Sequence, residues 1–226
     1  MGFQRSELKQ SAKEQLAGKW GTVIGCYLIF ICFTAVLNFV LLFFTDYSVD
    51  MKPLLAALVD FATITVTLLV TAPLTLGWIY LILKIVRGKL VSVSTIFEGF
   101  KRFLPAFLVM FLMQVFISLW ALLLIVPAII KSFSYAMAIY ILADDEDISP
   151  LDAITKSRKM MVGHKWEYFV LQLSFVFWFL LVCVTFGLAS LYVGPYMEVT
   201  MGNFYQRLKA ENAVEKVTND ACCEEN

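Results

Sequence analysis

The chain has 226 residues, 60% of them hydrophobic and only 16% charged, where a soluble domain carries roughly 45–50% and about 25%. Eighteen Lys and Arg balance eighteen Asp and Glu, so no net basic field is available to steer the chain onto nucleic acid. One histidine, His164, and five scattered cysteines exclude a His/Cys metal constellation and a disulfide framework.

The apolar residues come in long runs separated by short charged blocks, which predicts an all-α polytopic membrane protein rather than a greasy soluble core. Residues 1–19 are polar, with Leu8, Ala12 and Leu16 at helical spacing. They read as an interfacial amphipathic helix, not a cleaved signal. The first span, 20–44, holds no charge and is long enough to cross a ~30 Å core with tilt. A polar stretch with Asp46, Asp50, Lys52 and Asp60 follows, then a second span at 61–83.

Ser94 is placed to cap a short amphipathic segment carrying Ile96, Phe97 and Phe100, with Lys101 and Arg102 near its end. The third span covers 103–126. Pro127 then breaks an apolar run too long for one crossing, so a fourth span is expected at 129–143. Ser149, Pro150 and Asp152 have the order of a helix start. A basic cluster follows, Lys156, Arg158, Lys159, His164 and Lys165. Spans five and six are expected at 166–186 and 188–208, and 209–226 reads as a polar, patternless cytoplasmic tail containing Cys222 and Cys223.

With the N-terminus inside and six spans, sixteen of the eighteen Lys and Arg fall on the inner side, leaving Lys52 and Lys131 outside. That satisfies the positive-inside rule and places both ends in the cytoplasm. Prolines 73, 127 and 195 recur in the even-numbered spans, which suggests three helical hairpins related by pseudo-symmetry.

Few residues point to chemistry. Thr63, Thr67, Thr71 and Thr75 share one face of the second span; a polar track for solute is one reading, and hydroxyls bonded back to their own helix is the favoured one. Gln114 and Ser118 lie one turn apart in the third. Lys131 and Glu198 are ionisable residues inside spans, which generally have a function. Each follows a proline that opens a helix from the outer side, so a pair between them, or separate snorkelling, is expected. Lys101, Arg102, Arg158, Lys159, His164 and Lys165 are placed for contact with anionic lipid head groups. The acidic run Asp144–Asp147 lacks calcium-loop spacing and reads as a solvated loop. No nucleotide-binding, hydrolase or metalloprotease motif occurs, so no enzymatic activity, cofactor or metal is expected.

Three stretches carry a family resemblance: 122–145 (LLLIVPAIIKSFSYAMAIYILADD), 153–175 (AITKSRKMMVGHKWEYFVLQLSF) and 185–208 (TFGLASLYVGPYMEVTMGNFYQRL). With the start RSELKQSAKEQLAGKW, they resemble a bacterial integral-membrane family of unknown function. That family is itself distantly similar to the membrane region attached to some glycerophosphodiester phosphodiesterases. Where it usually has Gly after the first proline, this chain has Ala128. The resemblance implies a helical bundle in the bacterial cytoplasmic membrane and brings no assigned catalytic residues. The expected role is that of an accessory or regulatory protein that binds lipid or another membrane protein, alone or as an oligomer. A small transporter or channel using Lys131, Glu198, Thr67, Thr71 and Gln114 is the alternative.

Overall fold

The computed structural model describes residues 5–46 and 52–224; Asp50, expected in the first outer loop, lies outside the described residues. Every element is helical: α1 (Arg5–Leu16), α2 (Trp20–Asp46), α3 (Pro53–Val86), α4 (Thr95–Glu98) running into a 3₁₀ turn (Gly99–Arg102), α5 (Phe103–Leu123), α6 (Ile125–Tyr135), α7 (Ala138–Asp144), α8 (Pro150–Met160), α9 (Lys165–Leu173), α10 (Val176–Val184) and α11 (Ser190–Glu224).

Among the described residues, five segments are long and apolar enough to cross a membrane: Trp20–Leu42, Leu54–Val86, Thr95–Leu123, Ile125–Asp144 and Lys165–Val184. They overlap the first five expected spans, and the second starts at Leu54 and so takes in Asp60, expected in the polar stretch before it. Helix α11 is less apolar: its first half mixes Ser190, Pro195, Glu198, Asn203 and three tyrosines among its apolar residues, and a polar half follows. The tail expected after residue 208 is helical as far as Glu224. Beyond Gly202 this stretch has no Gly or Pro and is rich in Ala, Glu and Lys, so nothing in it stops a helix already under way.

The core gathers at one end of the bundle. Leu74, Leu76, Trp78, Ile79, Leu81, Ile82 and Ile85 of α3 are all buried, the signature of a helix surrounded by others. Helices α2, α5, α7 and α11 pack around it. Leu54, Leu55, Leu58, Phe61, Ile64 and Val66 at its other end are exposed, as are Leu28, Phe33, Val36, Phe39 and Leu42 of α2. The α5–α6 turn is likewise apolar and exposed, from Leu122 to Val126. In a bilayer these surfaces would meet lipid.

Two glycines set the closest crossing. A Cβ on Gly77 would fall on the carbonyl of Ile96, and one on Gly99 would fall on the carbonyl of Pro73. The α4 segment and its 3₁₀ turn therefore lie directly on the α3 backbone. Chain reversal near Pro127 happens at Leu124, which is extended (φ −159°, ψ 137°), and the proline sits in the first turn of α6, where its missing N–H costs nothing. Pro195, expected to open a helix, is instead inside α11.

The stripe Leu8, Ala12 and Leu16 is buried. It faces α11 and α3, so the apolar face of α1 is spent on protein. A reciprocal amide pair holds it there: Gln15 Nε2 donates to Asn203 Oδ1 at 3.0 Å, and Asn203 Nδ2 donates to Gln15 Oε1 at 3.0 Å. Arg207 adds an ion pair to Glu7 at 2.7 Å. Of the two caps read from sequence, Ser149 accepts from the Asp152 N–H at 3.2 Å. Ser94 precedes α4 without capping it; its hydroxyl meets that of Ser92 at 2.7 Å.

Candidate functional site

The last turn of α7 puts Asp144 on the same helix face as Tyr140, four residues earlier, and both turn inward. The Asp144 side chain is 6% exposed. Arg87, just past the end of α3, and Lys209 of α11 both form ion pairs with it, and the Tyr205 hydroxyl donates to Oδ2 at 3.0 Å. The acidic run read as a solvated loop thus contains one buried carboxylate that ties three helices together. Charge alone did not distinguish it from its neighbours. The inward face shared with Tyr140 does.

Beside Asp144 opens a cavity of about 370 Å³ between α3, the α4 segment and α7. Lys84, Arg87, Lys89, Lys101 and Arg102 line it, against Glu98, Asp144 and Glu146. Lys84 Nζ reaches both Glu98 oxygens at 2.9 and 3.0 Å and Thr95 Oγ1 at 3.2 Å. Arg102 Nη1 donates to the carbonyls of Leu142 at 2.7 Å and Asp145 at 3.2 Å, closing the end of α7 where unpaired carbonyls collect. Lys89 and Lys101 are exposed, and among the described residues their ammonium groups have no hydrogen-bond or ion-pair partner. The cavity therefore presents two free cations over a neutralised floor.

A second recess, of about 290 Å³, lies between α6, α8 and the start of α9. It brings together Lys131, Arg158, Lys159 and Lys165. The sequence reading set Lys131 on the outer side, apart from the other three. The difference arises because α8 folds back along α7 and α6, burying Ala153, Ile154, Ser157 and Met160. Ser157 Oγ donates to the Ser134 carbonyl at 2.8 Å, one turn from Lys131. The Lys131 ammonium also sits 4.9 Å from the centre of the Trp120 ring, a cation–π contact.

Lys131 and Glu198 form no ion pair with each other. Glu198 instead accepts from the Tyr140 hydroxyl at 3.4 Å, and Tyr140 stacks on Tyr205 with ring centres 5.5 Å apart. Thr67 donates to the Thr63 carbonyl and Thr71 to the Thr67 carbonyl, each at 2.8 Å, so these hydroxyls bond back to their own helix. Gln114 reaches Ser118 at 3.4 Å within α5, exposed. His164 Nδ1 is 3.0 Å from Glu167 and its Nε2 is 3.9 Å from Glu211, which ties the α8–α9 turn to α11. Sequence reasoning missed Lys84, Arg87, Glu98, Tyr140 and Tyr205, whose roles depend on which helix ends meet. Among the described residues no cluster of His, Cys, Asp and Glu could hold a metal ion.

Taken together, these features define an all-helical protein with several spans apolar enough for a membrane and two basic recesses beside its packed end. The chain belongs to the family described as "Protein of unknown function (DUF975)", whose profile matches residues 1–134 and 122–212. No curated protein and no solved structure matches it.

Proposed function

We propose that this is a non-enzymatic accessory protein of the bacterial cytoplasmic membrane that binds the head groups of anionic lipids on its basic face. In this reading the chain crosses six times, as three hairpins, with α11 supplying the sixth span and both ends in the cytoplasm. The observation that carries it is the cavity beside Asp144, where Lys89 and Lys101 stand exposed and unpaired while Lys84, Arg87 and Arg102 are engaged by protein groups. A diester phosphate supplies one negative charge and acceptor oxygens for such a pair, at about 1 kcal/mol per well-placed cation.

The test is to purify the chain from bilayers of mixed phosphatidylcholine and phosphatidylglycerol and count the lipids that stay bound. Wild type should retain phosphatidylglycerol in excess, and K89Q/K101Q should retain a smaller excess. Equal retention by both would sink the proposal.

One observation favours a transporter as a second reading. Glu198 is an ionisable group within the helical bundle, hydrogen-bonded to the buried Tyr140, and such groups often mark ion or solute paths. The reading rests on Glu198 alone, because the threonine hydroxyls are used within α3 and Lys131 is elsewhere. E198Q should then abolish flux of some solute in vesicles; no flux of any solute across a broad panel would count against it.

A further inference from the structure

We propose that the recess formed by α6, α8 and the start of α9 is a binding site for a phosphate monoester, presented by a lipid whose acyl chains lie along the apolar α5–α6 arm. Lys131, Arg158, Lys159 and Lys165 line the recess, and no carboxylate does. Among the described residues none of these four side chains enters an ion pair or donates a hydrogen bond. The nearest acid in sequence, Glu167, is occupied by His164 at 3.0 Å. Four like charges in a space of about 290 Å³ repel one another and call for a counter-charge. The wall that holds them is fixed, not draped: Ser157 pins α8 to α6, and the Trp120 ring supports Lys131.

The chemistry of the lining selects the ligand. A monoester phosphate carries about −1.5 to −2 charges on three strong acceptor oxygens, which suits three ammonium groups and one guanidinium fork. The Thr155 hydroxyl on the rim can donate as well. A diester or a single carboxylate leaves most of that positive charge unanswered. The surroundings favour a lipid as the source of the phosphate. Val162 on the rim is 69% exposed, the adjoining Trp166 is 71% exposed, and Ile129 and Ile130, just before Lys131, are also exposed. Beyond them the α5–α6 turn is apolar and exposed from Leu122 to Val126, which gives an acyl chain an apolar surface to follow away from the phosphate.

The experiment uses the full chain in detergent with equimolar phosphatidic acid and phosphatidylserine, and native mass spectrometry to count what remains bound. Wild type should retain phosphatidic acid over phosphatidylserine, and K131Q/K159Q should lower that preference by about tenfold or more. K131R/K159R, which keeps the charges, should restore it and so exclude misfolding as the cause. The same comparison is made in a K89Q/K101Q background, which removes lipid held at the cavity beside Asp144, so failure here and failure at that cavity are read separately. Equal lipid ratios in wild type and K131Q/K159Q would overturn the site. Displacement of the lipid by an equal concentration of inorganic phosphate would uphold the phosphate chemistry and overturn the lipid source.

Discussion

Replacing Asp144 with Asn tests whether the meeting of α3, α7 and α11 rests on one carboxylate. The substitution keeps size and shape and removes the charge. The carboxylate is 6% exposed, but its partners Arg87 and Lys209 are 35% and 51% exposed, so the full ~3–5 kcal/mol of breaking a buried pair does not apply. Each cation should lose about 1 kcal/mol, the upper end for exposed pairs. The Tyr205 hydroxyl, now donating to a neutral amide, should lose about another 1 kcal/mol. The expected total is about 2–3 kcal/mol, read from unfolding by sodium dodecyl sulfate in mixed micelles and followed by circular dichroism. A double-mutant cycle with K209M should give a coupling near 1 kcal/mol. A cost below about 0.5 kcal/mol, or no coupling, would show that these helix ends are held by apolar packing and that the ion pairs are incidental.

G77A and G99A should each destabilise by about 1–3 kcal/mol or more, because a methyl group has to displace backbone rather than a side chain; the same micelle titration checks this, and a neutral result would refute the crossing. S149A should cost about 1 kcal/mol through loss of the α8 cap, with faster amide exchange confined to residues 151–154 as its local signature. T67V and T71V should stay within about 0.5 kcal/mol of wild type, since their hydroxyls serve only their own helix; a large loss of stability or of lipid retention would mean that face has an outside partner.

The sequence shows where helices run more clearly than it shows what they touch. Long apolar runs marked the five segments that are long and apolar enough to cross a membrane, because length and hydropathy are properties of a segment by itself. The start of α8 was legible for the same reason: Ser149, Pro150 and Asp152 act within one turn. The destination of a face is a different matter. Leu8, Ala12 and Leu16 announce a stripe, and a bilayer surface and α11 would satisfy it equally well. Lys131 joined Arg158, Lys159 and Lys165 only because α8 doubles back, and no periodicity encodes a reversal of that kind. Asp144 was hidden by its acidic neighbours Asp145, Glu146 and Asp147, of which it alone is turned inward.

The apolar part of α3, Leu54–Val86, is 33 residues long, about 50 Å of helix against a hydrocarbon slab of ~30 Å. Hydrophobic mismatch of that size has to be met by steep tilt, by a bend or by a locally thickened bilayer. The natural place to bend is Pro73, where the ring removes one rung of the helix ladder. Pro73 is also the residue on whose carbonyl Gly99 rests. A bend at Pro73 that answered bilayer thickness would therefore move the carbonyl against which the segment carrying Lys101 and Arg102 is packed.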